Sequence, residues 1–258
     1  MDHDDLPIGR LLSRREVLAL LGTGSAALLV GCGTSTAESA AASPSVTSAP
    51  GSPCLVKPEQ TEGPFFFEDD LFRRDIRMDT ASGAMSAGVP LTLTIGVSRV
   101  AEAECLPLQG ALVDIWHCDA DGAYSGYASE GTEGRNFLRG VQRTDAAGEA
   151  SFLTVYPGWY RGRAVHIHLK VRTSEDADAY EFTSQLYFPD DLSRTVFEQA
   201  PYAREGTRVS NDRDGIYRRG GGADLLLAPV PDGDGYTARF DFGLDLSDAA
   251  TGASDRFG

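Results

Sequence analysis

The chain is expected to fold as a mostly-β protein, an antiparallel β-sandwich with long loops and little helix, and three features of the sequence carry that expectation. Apolar residues recur at every second position in short stretches such as Leu91-Thr92-Leu93-Thr94-Ile95, the period of a half-buried strand. Clusters of Gly, Pro and Asp break these stretches, and the 29 Gly and 13 Pro of the chain are the residue types that turns require. Helical periodicity is scarce past the first fifty residues.

The N-terminus reads as an export signal before it reads as structure. Ser13-Arg14-Arg15-Glu16-Val17-Leu18 is a twin-arginine pattern, followed by an apolar run from Leu18 to Val30 and then Leu29-Val30-Gly31-Cys32. The run is too short and too rich in glycine to span a bilayer. Residues 1–31 are therefore expected to be a lipoprotein-type signal peptide, with Cys32 lipidated as the first residue of the mature chain. Residues 32–53 are expected to form a flexible Ala/Ser/Pro tether, 54–246 the sandwich domain, and 247–258 a flexible tail. That length suits one sizeable domain.

Within the domain, strands are expected at Val89–Val100, Ala111–Trp116, Ala150–Val155 after the turn Asp145-Ala146-Ala147-Gly148, Val165–Val171, Phe182–Phe188, Ala223–Val230 and Tyr236–Leu244. One short helix is expected near Leu192–Glu198, behind Pro189-Asp190-Asp191.

The formal charge of −15 argues against nucleic acid or anionic lipid as a partner. Membrane contact would come only through a lipid at Cys32, and the location expected is the cell surface, the periplasm or the exterior. Lipidation leaves Cys54, Cys105 and Cys118, enough for one internal disulfide whose pairing the sequence leaves open. Cys118 is most simply a small buried thiol. No Cys-x-x-Cys spacing occurs, which disfavours a structural zinc site.

The densest chemistry lies in Tyr160-Arg161-Gly162-Arg163-Ala164-Val165-His166-Ile167-His168. Alternate residues of a strand share a face, so His166 and His168 project together with Ile167 turned away. A second segment, Trp116-His117-Cys118-Asp119-Ala120-Asp121-Gly122-Ala123-Tyr124-Ser125-Gly126-Tyr127, runs from a strand into a polar turn that ends in tyrosines. Residues 160–168 contain no acid, which disfavours a two-histidine, one-carboxylate ferrous site. They offer a phenol instead, and a phenol ligates well only when a strongly Lewis-acidic cation displaces its proton. Ferric iron is the natural candidate, since two tyrosinates and a hydroxide balance its charge and two neutral imidazoles complete the donor set.

Over roughly Pro58 to Tyr217 the sequence resembles the intradiol ring-cleavage dioxygenases, particularly those like the β chain of protocatechuate 3,4-dioxygenase and its exported single-chain relatives. The resemblance is carried by Thr61-Glu62-Gly63-Pro64-Phe65-Phe66, Ile115-Trp116 through Gly122-Ala123-Tyr124, Pro157-Gly158-Trp159-Tyr160, Arg163-Ala164-Val165-His166-Ile167-His168 and Gln185-Leu186-Tyr187-Phe188. It implies one non-haem Fe(III) per chain, with Tyr124 and His166 as in-plane ligands and Tyr160 and His168 as axial ones. Tyr127 is the local competitor for Tyr124. The resemblance further implies that Tyr160 leaves the metal when a catechol chelates it, that Arg163 stabilises charge at the reacting ring carbon, and that Gln185 hydrogen-bonds near Arg163. The reaction implied puts both atoms of O2 into an aromatic diol and opens the ring between the hydroxyls, giving a cis,cis-muconate-type diacid. His117 is read as neighbouring the site or lying at the surface.

Two departures stand out. The loop between Tyr160 and His166 is shorter than in the protocatechuate enzymes, so the pocket mouth should differ. Too few residues precede the Thr-Glu-Gly-Pro motif for the helical dimerisation region of catechol 1,2-dioxygenases, whose dimer interface should be absent, and nothing marks a second chain of the protocatechuate type, so a monomer or homo-oligomer is the default. The competing readings are a non-catalytic β-sandwich binding module of the cell surface and a zinc or copper protein using His166 and His168 with another third ligand.

Overall fold

The structure, a computed structural model, describes residues 56–68, 71–101, 104–176, 179–202 and 205–247. The signal segment, Cys32, the tether, Cys54 at the start of the domain, and nearly all of the tail lie outside the described residues, all of which fall in one compact unit.

Among the described residues, nine strands form two sheets. The first contains β1 (Pro90–Ala101), β2 (Glu104–Pro107), β5 (Glu149–Val155), β8 (Val230–Asp232) and β9 (Gly235–Leu244); the second contains β3 (Leu112–Trp116), β4 (Arg139–Arg143), β6 (His166–Arg172) and β7 (Glu181–Tyr187). In the first sheet β1 is central. It pairs with β5 along its first half and β2 along its second, both antiparallel, and with β9 in parallel along the other edge. The sandwich is therefore mixed at this one pair of named strands. The second sheet runs β4-β3-β6-β7 with every pairing antiparallel.

Between the sheets lies a single large core that takes Leu91, Leu93, Ile95, Phe152 and Phe240 from one sheet and Val113, Ile115, Ile167, Leu169 and Phe182 from the other. Each such side chain taken fully out of water contributes about 1.5–3 kcal/mol before the entropy of ordering it is charged. The strand alternation therefore does two jobs in the second sheet. Odd positions of β3 fill the core, which turns Asp114 and Trp116 to the outer face.

Helix is sparse. The expected short helix is α1 (Asp190–Val196), and a second, α2 (Gly215–Arg219), starts at Asp214, whose side chain accepts hydrogen bonds from Ile216 N and Tyr217 N. The strand expected at Ala223–Val230 is not formed. Gly221 takes a left-handed φ of 69° and starts a 3-10 turn at Gly222–Leu225, after which only Leu226 bridges Tyr187. Leu225 and Leu227 are both buried while Leu226 is 38% exposed, so the alternation that suggested a strand arises from a turn packed against the edge of β7. The polar Arg139–Arg143 and the short β2 and β8 were not anticipated; they are strands because a neighbour offers them a ladder, as β3 does for β4.

Candidate metal centre

His166 and His168 lie on β6 with their side chains on the outer face, while Ile167 is fully buried in the core between the sheets. His166 Nδ1 lies 2.7 Å from Ala164 O. A carbonyl can only accept, so Nδ1 carries the proton and Nε2 presents a lone pair. Three donor atoms surround that Nε2: Tyr160 Oη at 3.2 Å, Tyr124 Oη at 3.4 Å and His168 Nε2 at 3.1 Å. N and O donors that share one transition-metal ion at about 2 Å stand about 3 Å from one another, and all three distances to His166 Nε2 are of that size.

The chain reaches this arrangement from three directions. Tyr124 sits in the turn after β3, where Asp119 Oδ1 accepts from Asp121 N at 3.0 Å and Ala123 N at 2.9 Å. Its ring stacks on Phe65 with centroids 4.2 Å apart, and Arg139 Nη2 donates to the next carbonyl, Ser125 O, at 2.8 Å. Tyr160 lies on the loop after β5, which Gly158 N ties to Asp119 O at 3.1 Å. Tyr127, the competitor for Tyr124, instead donates its hydroxyl to Phe66 O at 3.1 Å.

One transverse row of the second sheet, Arg139-Trp116-His168-Gln185, faces outward from β4, β3, β6 and β7. The Thr61–Phe66 segment crosses over it. Gln185 Nε2 donates to Thr61 O at 2.8 Å and Arg139 Nη1 to Phe65 O at 2.7 Å, while Phe66 packs on Trp116 and the Trp116 indole stacks on the His168 ring at 4.9 Å. Gly63 passes so close that a Cβ there would lie 3.2 Å from His168 Cε1. Lys170, one pleat further along β6, is fixed to the same strap by Glu62 at 2.7 Å.

This enclosure sets the electrostatics. Desolvation holds both imidazoles neutral: His166 falls well below the ordinary histidine range, helped by the Arg163 charge, and burial with His166 beside it likewise holds His168 well below that range. Neutral imidazoles are the form that ligates metal. Burial, then the neighbouring Tyr160, pushes the Tyr124 phenol well above its usual value, so only a strongly Lewis-acidic cation would take its proton. The donor set fits Fe(III) on that ground. Among the described residues no cluster of three or more His, Cys, Asp or Glu could hold a metal ion.

Arg163 and Gln185 are also brought together, with Arg163 Nη2 donating to Gln185 Oε1. Burial opposes the Arg163 charge, but Tyr160, Tyr187 and Asp214 more than offset it and push its pKa up. Asp214, Arg139 and the Thr61–Phe66 strap are site components that sequence reasoning did not assign to it. His117 is neither at the surface nor among the four donors: its Nε2 lies 2.6 Å from Thr154 Oγ1 and its Nδ1 2.8 Å from Cys118 O. Cys118 is a buried thiol whose Sγ lies 3.6 Å from Gly158 O, and Cys105 is disulfide-bonded.

A family model described as Dioxygenase matches residues 61–208, which contain all four donors. The chain is 30% identical over 161 residues to the protocatechuate 3,4-dioxygenase beta chain of Burkholderia cepacia, covering 57% of this chain and 67% of that protein. It is also 30% identical over 108 residues to catechol 1,2-dioxygenase 1 of Acinetobacter lwoffii, but spans only 32% of that relative's length. Among solved structures, an intradiol ring-cleavage dioxygenase of Tetranychus urticae superposes with a TM-score of 0.66 at 27% identity, covering 74% of this chain and 95% of that one. The dioxygenase domain of a dioxygenase carbohydrate-binding protein fusion from Streptomyces sp. SirexAA-E gives 0.54 at 32% identity, with 74% and 98% covered. Family model, relatives and fold agree: the chain belongs to the intradiol ring-cleavage dioxygenase family.

Proposed function

We propose that the protein is an exported Fe(III) enzyme that cleaves catechol-type diols between their two hydroxyls, with Tyr124, Tyr160, His166 and His168 as the iron ligands. The convergence of three donor atoms on His166 Nε2, all within 3.1–3.4 Å, is the observation that carries this reading. Ferric iron would supply the Lewis acidity that ionises the phenols and makes a chelated diol reactive toward O2.

The protein's own residues then divide the work. Tyr124 is 1% exposed and stacked on Phe65, which suits a ligand that stays. Tyr160 is only partly buried and sits on a loop, which suits the ligand that lets go, its phenolate oxygen accepting a proton from an incoming diol hydroxyl. The two histidines are held by a β-ladder and a carbonyl, so they keep their orientation as Tyr160 moves. Arg163 brings a buried positive charge to the side of the site where negative charge builds up on the ring. One ring carbon–carbon bond breaks and both oxygen atoms enter the product diacid, so no external reductant is required.

Export is supported by the order of Arg14-Arg15, the apolar run and Cys32, and by the disulfide at Cys105, since such bonds persist in oxidising compartments. Mass spectrometry of the membrane fraction should find a diacylglyceryl adduct on Cys32, and fully soluble mature chain without it would contradict the anchor. The reaction is tested by incubating purified, iron-loaded protein with a panel of catechols under isotopically labelled O2. Two labelled oxygens in a product cut between the hydroxyls are expected; a ring opened outside them would refute the assignment.

A further inference from the structure

Arg163 is clamped along one edge. Its Nε donates to Asp214 Oδ2 at 3.0 Å, and its Nη2 donates to Gln185 Oε1 and lies 3.5 Å from Tyr187 Oη. These bonds leave Nη1 without a hydrogen-bond partner among the described residues.

Asp214 is fully buried, and its two oxygens serve different elements. Oδ1 accepts from Ile216 N at 2.8 Å and Tyr217 N at 3.1 Å and so caps α2. Oδ2 accepts from Arg163 Nε and also from Ala164 N at 2.8 Å. Capping a five-residue helix needs only one oxygen, and Ser or Asn would supply it. The second oxygen and the full negative charge are explained by the guanidinium. A buried arginine without a counter-ion is costly, and its long side chain has many poses to choose among. Oδ2 removes both problems, because it compensates the charge and fixes the plane of the fork.

We propose that Asp214 is a positioning residue for the ring-cleavage reaction: its Oδ2 locks the Arg163 guanidinium so that Nη1 is the donor presented to the reacting ring. The proposal rests on the reading that Arg163 acts on the bound diol. Asp214 lies 51 positions from Arg163 in sequence, in a segment that adds no donor to the metal site.

The test compares kcat and KM for a catechol across Asp214→Ser, Arg163→Ala and the double variant, with iron content and visible absorption recorded for each. Asp214→Ser keeps a helix cap and removes the Arg163 partner. Its kcat should fall about 10-fold or more, a part of the roughly 100- to 1000-fold that loss of one pre-aligned donor costs, while iron, colour and KM change little. The double variant should be no slower than Arg163→Ala alone. Ile216→Ala, which weakens α2 without touching the pair, should keep wild-type kcat. If the Ser variant does not fold, Asp214→Asn takes its place with the same expected loss. Full kcat in the Asp214 variant beside a slow Arg163→Ala would overturn the positioning role alone, as would an additive loss in the double variant or an equal loss in Ile216→Ala. Full kcat in Arg163→Ala would instead overturn the reading beneath it.

Discussion

The two sheets of the sandwich share one core but not one kind of strand. In the first sheet β1 and β9 alternate between buried and open positions, as expected of a sheet with one wet face. In the second sheet all five positions of β3 and all seven of β7 are buried, as are six of seven in β6. Its outer face is nonetheless polar, carrying Asp114, His166, His168, Lys170, Thr183 and Gln185 under cover. A polar group taken out of water needs a partner, and the partners here are specific: Arg172 for Asp114, Glu62 for Lys170, Thr61 O and Arg163 for Gln185. The first sheet is stabilised by what it hides, whereas the second hides what it needs for chemistry.

Matched changes in the two sheets should separate these roles. The largest effect is expected at the donors, where His168→Ala or Tyr124→Phe should abolish bound iron, visible colour and turnover together. Metal analysis with absorption spectroscopy checks this, and retained iron and colour in either variant would break the ligand assignment. Leu93→Ala, fully buried in the first sheet, should cost about 2–5 kcal/mol in urea unfolding while iron and colour per folded chain stay at wild-type levels.

A smaller effect belongs to His117, at the end of β3. Burial, opposed by a hydrogen bond to Cys118 O, lowers its pKa from 6.5 to about 4. The native state requires the neutral ring, so its contribution is complete above pH 6.5 and is lost as pH falls toward 4, at about 1.4 kcal/mol per pH unit. Unfolding His117→Asn beside wild type across that range should show the difference in slope, and parallel curves would contradict it. The smallest effect separates two left-handed glycines. Gly63 and Gly83 have φ of +70° and +74°, but only Gly63 faces His168, while nothing lies within 4 Å of Gly83. Both Ala variants should lose about 1 kcal/mol, and only Gly63→Ala should release iron faster to a chelator.

The same contrast explains what could be read from the sequence. The longer strands of the first sheet, β1, β5 and β9, announce themselves through period-two alternation, and the His-x-His of β6 places two imidazoles on one face by geometry alone. The polar β4 has no apolar signal of its own, because its place is set by cross-strand pairing with β3. Leu225-Leu226-Leu227 imitates a strand because a 3-10 turn can bury alternate leucines against a neighbouring edge. The four donors were legible because their spacing matches a family pattern. Asp214 was not, since nothing local distinguishes a carboxylate that caps a short helix from one that also holds an arginine far along the chain.

The central claim is that Tyr124, Tyr160, His166 and His168 bind one ferric ion through two phenolates and two imidazoles. Visible absorption of the purified protein, loaded to one iron per chain, tests it most directly. A broad tyrosinate-to-iron charge-transfer band, seen as a wine-red solution and lost in Tyr124→Phe, is the predicted result. A colourless protein with that iron still bound would contradict it.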